Sequence, residues 1–239
     1  MRSATVSEYN VPVNKVAHNL ERVREQIQAA VARAGRKPED VTLVAISKTV
    51  EPERLEAAVA AGQTLFGESR LQEARAKIPL VSSRARWHMV GHLQTNKARD
   101  AVALFELIHS VDSVKLAVEL NKWAERAGKT QAILLEVNAS GEGSKFGLKP
   151  EDLDATLGEI NKLSRLEVQG LMTIAPFRDN VEEVRPCFRR LRELRDRAGL
   201  RELSMGMTHD FGIAIEEGAT MVRLGTAVFG ERERYEPTE

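Results

Sequence analysis

The sequence has a single cysteine, Cys187, among 239 residues. That excludes an internal disulfide framework and any cysteine-rich zinc module, and it fits a reducing compartment, so the expected address is the cytoplasm. Net charge is missing as well: 35 Lys and Arg balance 35 Asp and Glu. No global field therefore draws the chain to nucleic acid or to an anionic membrane, and any anion site must be local. No run approaches the roughly 18 apolar residues of a membrane span, and Met1 to Asn10 lack the apolar core of a signal peptide. No G-x-G-x-x-G follows the first strand-like run, so the usual dinucleotide signature is absent. What is present, 42% hydrophobic and 29% charged residues, is enough to bury a sizeable core.

From Asn14 onward, Val16, Leu20, Val23, Ile27 and Val31 recur at steps of four and three, which predicts an amphipathic helix that Gly35 ends. Val41 to Ser47 is a short β-branched apolar run, suited to a strand buried on both faces of a parallel sheet. The alternation then repeats. Helices are expected at Pro52–Ala61, Lys97–Phe105, Ser113–Ala127, Pro150–Leu163 and Val181–Ala198, and strands at Thr64–Phe66, Trp87–Val90, Leu107–Val111, Ala132–Val137, Val168–Met172, Leu203–Ser204 and Met221–Leu224. Four helices end in Ala-Gly, at Gly35, Gly62, Gly128 and Gly199, as expected where glycine supplies a left-handed residue before a strand. Eight strands with helices between them, in a chain near the roughly 250 residues typical of the fold, predict a single (β/α)8 TIM barrel with an extra N-terminal helix. A doubly wound open sheet is the alternative. No linker or shift of composition divides the chain, so residues 1–239 are expected as one domain, with 1–12 and 231–239 as loose tails.

In such a barrel, chemistry sits at the C-terminal ends of the strands. The first strand closes in Ser47-Lys48-Thr49. A lysine held there in a partly desolvated setting is a Schiff-base candidate, and a lysine that merely reaches solvent is the plain alternative. Leu203-Ser204-Met205-Gly206-Met207 and Arg223-Leu224-Gly225-Thr226-Ala227 follow strands seven and eight, where barrels commonly bind phosphate through small residues and hydroxyls. Together with Lys48 they describe a phosphorylated aldehyde, its carbonyl on the lysine and its phosphate across the mouth. Ser69, after strand two, and Met172, at the end of strand six, are further candidates for lining the pocket, although a methionine there is more often core. His88 and His92 lack the carboxylate motif of a metal site, so packing or hydrogen bonding is the expected role, with their segment facing a ligand or a partner. Cys187 reads as a small apolar filler of its helix.

These residues resemble a known family. Ala45-Ile46-Ser47-Lys48, Phe66-Gly67-Glu68, Trp87-His88-Met89-Val90-Gly91-His92-Leu93-Gln94-Thr95-Asn96-Lys97, Ser144-Lys145-Phe146-Gly147, Leu203 to Met207 and Arg223 to Gly230 occur in the order seen in the YggS/PROSC pyridoxal phosphate homeostasis proteins. The resemblance runs from Asn14 to Gly230. It implies a fold-type III barrel, similar to the N-terminal domain of alanine racemase, carrying pyridoxal 5′-phosphate (PLP) as a Schiff base on Lys48. By position it implies that Ser204, Gly206, Gly225 and Thr226 serve the phosphate and that Arg223 faces the pyridine nitrogen. One departure is Ser69, which stands where the family usually has asparagine.

The resemblance implies a PLP-binding protein of vitamin B6 homeostasis, with PLP-dependent apoenzymes as recipients, no nucleic-acid or membrane partner and a monomer or weak homodimer as the assembly. A PLP-dependent amino-acid racemase is the alternative, and a Schiff-base aldolase is a third class. A permanently charged guanidinium at the pyridine nitrogen weakens the electron sink that racemisation needs. The sequence also offers only Tyr9 and Tyr235, both near the termini, for the tyrosine that the racemase uses opposite its lysine.

Overall fold

The structure is a computed structural model that describes residues 13–142 and 146–230; the two expected tails, and Ser144 and Lys145, lie outside the described residues. The chain runs α1 (Val13–Arg33), β1 (Thr42–Ile46), α2 (Pro52–Ala60), β2 (Leu65–Glu68), α3 (Leu71–Lys77), β3 (Arg86–Met89), α4 (Ala98–Leu104), β4 (Leu107–Val111), α5 (Val114–Arg126), β5 (Gln131–Glu136), α6 (Leu153–Ile160), β6 (Leu166–Met172), α7 (Arg185–Arg197), β7 (Glu202–Ser204), α8 (Phe211–Glu216), β8 (Met221–Leu224) and α9 (Thr226–Phe229). The eight strands pair in sequence order, all parallel, and β8 closes on β1 with Thr42 opposite Met221 and Ala45 opposite Leu224. This closed TIM barrel replaces the open-sheet alternative. Among the described residues no helix is long and apolar enough to cross a membrane.

The apolar spacing of α1 does what it predicts. Val16, Leu20, Val23, Ile27 and Val31 are all buried, each contributing about 1.5–3 kcal/mol of transfer free energy. The helix lies outside the barrel against α2, α8 and α9, held by Asn19 Nδ2 donating to Val228 O and Arg36 Nη1 donating to Ala219 O. Gly35, Gly62, Gly128 and Gly199 have φ of 64°, 82°, 66° and 65°, so the four Ala-Gly pairs are left-handed helix stops. Ser113 caps α5, its hydroxyl accepting from Leu116 N. Cys187 is buried on α7 beside Phe188 and Leu191.

Three helices begin later than their patterns suggest, because single 3-10 turns at Thr95–Lys97, Pro150–Asp152 and Val181–Val184 precede α4, α6 and α7. Three helices, α3, α8 and the four-residue α9, have no counterpart in the periodicity. Gly170 lies where the β5–β6 register shifts, and a Cβ there would lie 2.0 Å from Glu202 O, so only glycine fits.

Candidate active site at the barrel mouth

Val44, Leu65, Leu107, Leu134, Met172 and Met221, from six different strands, form a cluster of their own inside the barrel. Strand residues alternate sides, so the positions two further on face inward as well, nearer the C-terminal mouth. After Leu107, Leu134 and Met221 these are His109, Glu136 and Arg223, and all three are buried. A polar layer therefore rests on an apolar floor. Met172, fully buried, belongs to that floor.

The polar layer is wired together. Arg223 Nη1 donates to Ser204 Oγ (2.7 Å) and Nη2 to the carbonyl of Thr173 (2.9 Å). Ser204 Oγ lies 2.8 Å from His109 Nδ1, and His109 Nε2 lies 2.9 Å from His88 Nδ1. Arginine has no acceptor, so the chain is satisfied throughout when Ser204 donates to His109 and both imidazoles carry their proton on Nε2. Burial, reinforced by His88 and Arg223, holds His109 well below its ordinary pKa, and burial with Arg86 nearby pulls His88 down to about 4. Both rings are neutral at pH 7. Burial lowers Arg223 to about 10, which leaves it charged. Glu136 is pushed up to about 7 by burial and by Asp112, against the pull of Arg223. Asp210 is raised by burial, opposed by the bond it accepts from Met207 N and by Arg223.

Lys48 is half-buried in the turn that follows β1, closed by Val50 N donating to Ser47 O at 3.0 Å. The loop after β7 turns at Gly206, where φ is 91° and a Cβ would lie 2.6 Å from the Ala214 side chain, so a larger residue is excluded. Gly225 begins the short helix α9 directly after β8, where barrels place an extra helix at a phosphate. Thr226 Oγ1 donates to Thr208 Oγ1 at 3.2 Å, both residues being exposed.

The structure thus joins Arg223 to Ser204 and puts Lys48, Gly206, Gly225 and Thr226 at the same end of the barrel. Ser69, directly after β2, is at this end too, and with His92 it lines a groove of about 1170 Å³ between α3 and the 92–100 segment, which Lys48, Ser204, Gly206, Arg223, Gly225 and Thr226 do not line. His88 and His92 part company, for His92 is 3.4 Å from Asp112 and stacks on Phe146 at 4.1 Å. His109, Glu136, Thr173 and Thr208 are site residues that the sequence did not reveal. A hydroxyl two positions after Gly206 was the available signal for Thr208.

A parallel eight-stranded barrel with a lysine after its first strand and an arginine–serine pair on its last two defines a class, the barrel of the alanine racemases. The chain belongs to the family described as alanine racemase, N-terminal domain, whose model matches residues 14–233. Within that class it belongs to the YggS/PROSC family of pyridoxal phosphate homeostasis proteins. It is 46% identical to the pyridoxal phosphate homeostasis protein of Aquifex aeolicus over 89% of this chain and 96% of that one. It is 38% identical to the protein of that description from Escherichia coli K12, over 92% and 98%. Among solved structures, PipY of Synechococcus elongatus with PLP bound superposes with a TM-score of 0.80 at 37% identity, covering 90% of this chain and all of PipY. An alanine racemase of Clostridium difficile shares the fold, with a TM-score of 0.73 at 16% identity over 95% of this chain and 61% of the racemase.

Proposed function

We propose that this protein binds PLP as a Schiff base on Lys48 and serves in PLP homeostasis, holding the cofactor for PLP-dependent apoenzymes. The observation that carries the reading is that one barrel mouth holds a half-buried lysine, a fixed guanidinium and a loop pair bearing two facing hydroxyls. The PLP held by PipY supports it. The residues fit the group chemically. An aldehyde needs an amine, which Lys48 offers; a phosphate needs N–H and O–H donors, which Gly206, Gly225, Thr226 and Thr208 offer, whereas the hydroxyl of Ser204, expected there, is buried and taken up by Arg223 and His109. Arg223, tied to Ser204 and Thr173, is assigned to the pyridine nitrogen, where it can only donate. When bound, PLP supplies an electrophilic carbonyl and a conjugated ring. The chain's own residues hold that group, and Arg223 keeps the ring nitrogen from acting as a strong electron sink. Ser69 and Met172 are assigned lesser parts, at the edge and the floor.

The test adds PLP to the purified protein and desalts it. Visible absorbance that stays with the protein, together with D/L interconversion of alanine far below the rate of a racemase, supports a carrier. A colourless protein removes the PLP reading, and racemase-like turnover replaces the carrier with an enzyme.

A further inference from the structure

The turn that carries Lys48 is strained and is held from outside the barrel. Thr49 has φ of 62°, the only left-handed non-glycine among the described residues, and a β-branched residue there is an outlier. It occupies the third position of the turn Ser47–Val50, where a left-handed turn residue is ordinarily glycine or asparagine. Such strain persists only where the surroundings over-determine it.

Those surroundings come from α3. Glu73 Oε1 accepts from Thr49 N at 2.5 Å, and Lys77 Nζ donates to the same oxygen at 2.7 Å. The Lys77 ammonium spends its remaining donors on Ser47 O, at 2.7 Å, and on Glu68 Oε1, at 2.8 Å. Ser47 Oγ donates to that Glu68 oxygen at 2.7 Å. Glu68 is fully buried and the Lys77 side chain is 7% exposed, so water does not compete with the bonds from Lys77 to Glu68 and Ser47, while the Thr49–Glu73 bond lies at the exposed end of the clamp. An ion pair that only anchored α3 would need no backbone partners in another element. This one grips the carbonyl before Lys48 and the amide after it.

We propose that Glu73 and Lys77 are positioning residues for Lys48, a clamp that brackets the lysine and holds its turn in the left-handed conformation. The proposal rests on the reading of Lys48 as the PLP lysine, and it gives the Phe66-Gly67-Glu68 motif a task, since Glu68 seats the clamp's ammonium. Helix α3, not the barrel, then sets how Lys48 meets an aldehyde.

The experiment compares wild type, Glu73→Ala, Glu73→Gln, Thr49→Gly and Glu73→Ala/Thr49→Gly. It reads hydrogen exchange of the Thr49 amide without PLP, and the rate at which added PLP becomes borohydride-trapped on Lys48. In Glu73→Ala, amide protection is expected to fall and trapping to slow by about tenfold or more, the scale of the strain released. Glu73→Gln keeps an acceptor and should recover most of both. Glycine adopts φ > 0 freely, so in the Thr49→Gly background the trapping loss from Glu73→Ala should shrink to about threefold or less. Unchanged amide exchange in Glu73→Ala overturns the clamp, as does an equal trapping loss in both backgrounds, which would leave Glu73 only anchoring α3. Failure of the wild type to label Lys48 at all would reject the PLP reading, while the exchange measurement still judges the clamp.

Discussion

Replacing Ser204 by alanine tests the polar layer at its centre. Ser204 is fully buried, and its hydroxyl joins Arg223 Nη1, 2.7 Å away, to His109 Nδ1, 2.8 Å away. Alanine leaves both groups in place without their partner. An unsatisfied buried polar group costs about 1–3 kcal/mol, more when it is charged, so Ser204→Ala should lose about 4 kcal/mol. At about 2–4 °C per kcal/mol for a chain of this size, the melting temperature should fall by roughly 8–16 °C. Urea unfolding is the assay, with an unchanged slope certifying that stability and not compactness has moved. Thr208→Ala, which removes an exposed hydroxyl, should stay within about 0.5 kcal/mol of wild type. In a Ser204→Ala/His109→Leu cycle the double variant should lose less than the sum of the singles, because leucine removes the stranded acceptor. A loss from Ser204→Ala below about 1 kcal/mol, or strict additivity in the cycle, would refute the network.

Acid stability should expose two opposed groups. His88 titrates near 4 in the folded protein against 6.5 ordinarily, so the unfolded chain takes up a proton that the folded one refuses, and stability falls as pH drops from 6.5 towards 4. Glu136 titrates near 7 against 4.5, so the folded protein keeps a proton that the unfolded chain has released, and stability falls as pH rises from 4.5 to 7. Glu136→Gln should therefore gain about 3 kcal/mol relative to wild type between those limits, read by urea unfolding across pH; a pH-independent difference would contradict the burial of that charge. Gly206→Ala should destabilise by about 1–3 kcal/mol through its left-handed φ and the contact with Ala214, seen as a lower urea midpoint. Thr226→Ala/Thr208→Ala should weaken PLP retention several-fold in equilibrium dialysis without lowering the melting temperature; unchanged retention would put the phosphate elsewhere.

The barrel was legible because its strands are short β-branched runs and its helix stops are glycines, both local signals. Helices α3 and α8 were not. Leu-Gln-Glu-Ala-Arg-Ala-Lys presents little more than Leu71 and Ala74 to the core, and Phe-Gly-Ile-Ala-Ile-Glu is six residues long with a glycine inside it, too short for a period to show. At the site, Lys48, Ser204 and Arg223 could be named because each lies at or beside the C-terminal end of a recognisable strand, with the role of Arg223 supplied by the family resemblance. His109 could not, since it sits in the apolar run Leu107–Val111 and bonds to a serine 95 positions away, a pairing that only closure of the barrel creates. Glu73 and Lys77 are four apart on a helix and look like an ordinary solvent ion pair. Their grip on Ser47 and Thr49 appears only when α3 packs over the end of β1.

The most direct test is borohydride reduction of the PLP-loaded protein followed by peptide mapping of the labelled lysine. Labelling confined to Lys48, and lost in Lys48→Ala while the melting temperature is kept, is the predicted result. Labelling of another lysine with Lys48 untouched, or a labelled Lys48→Ala variant, would contradict it.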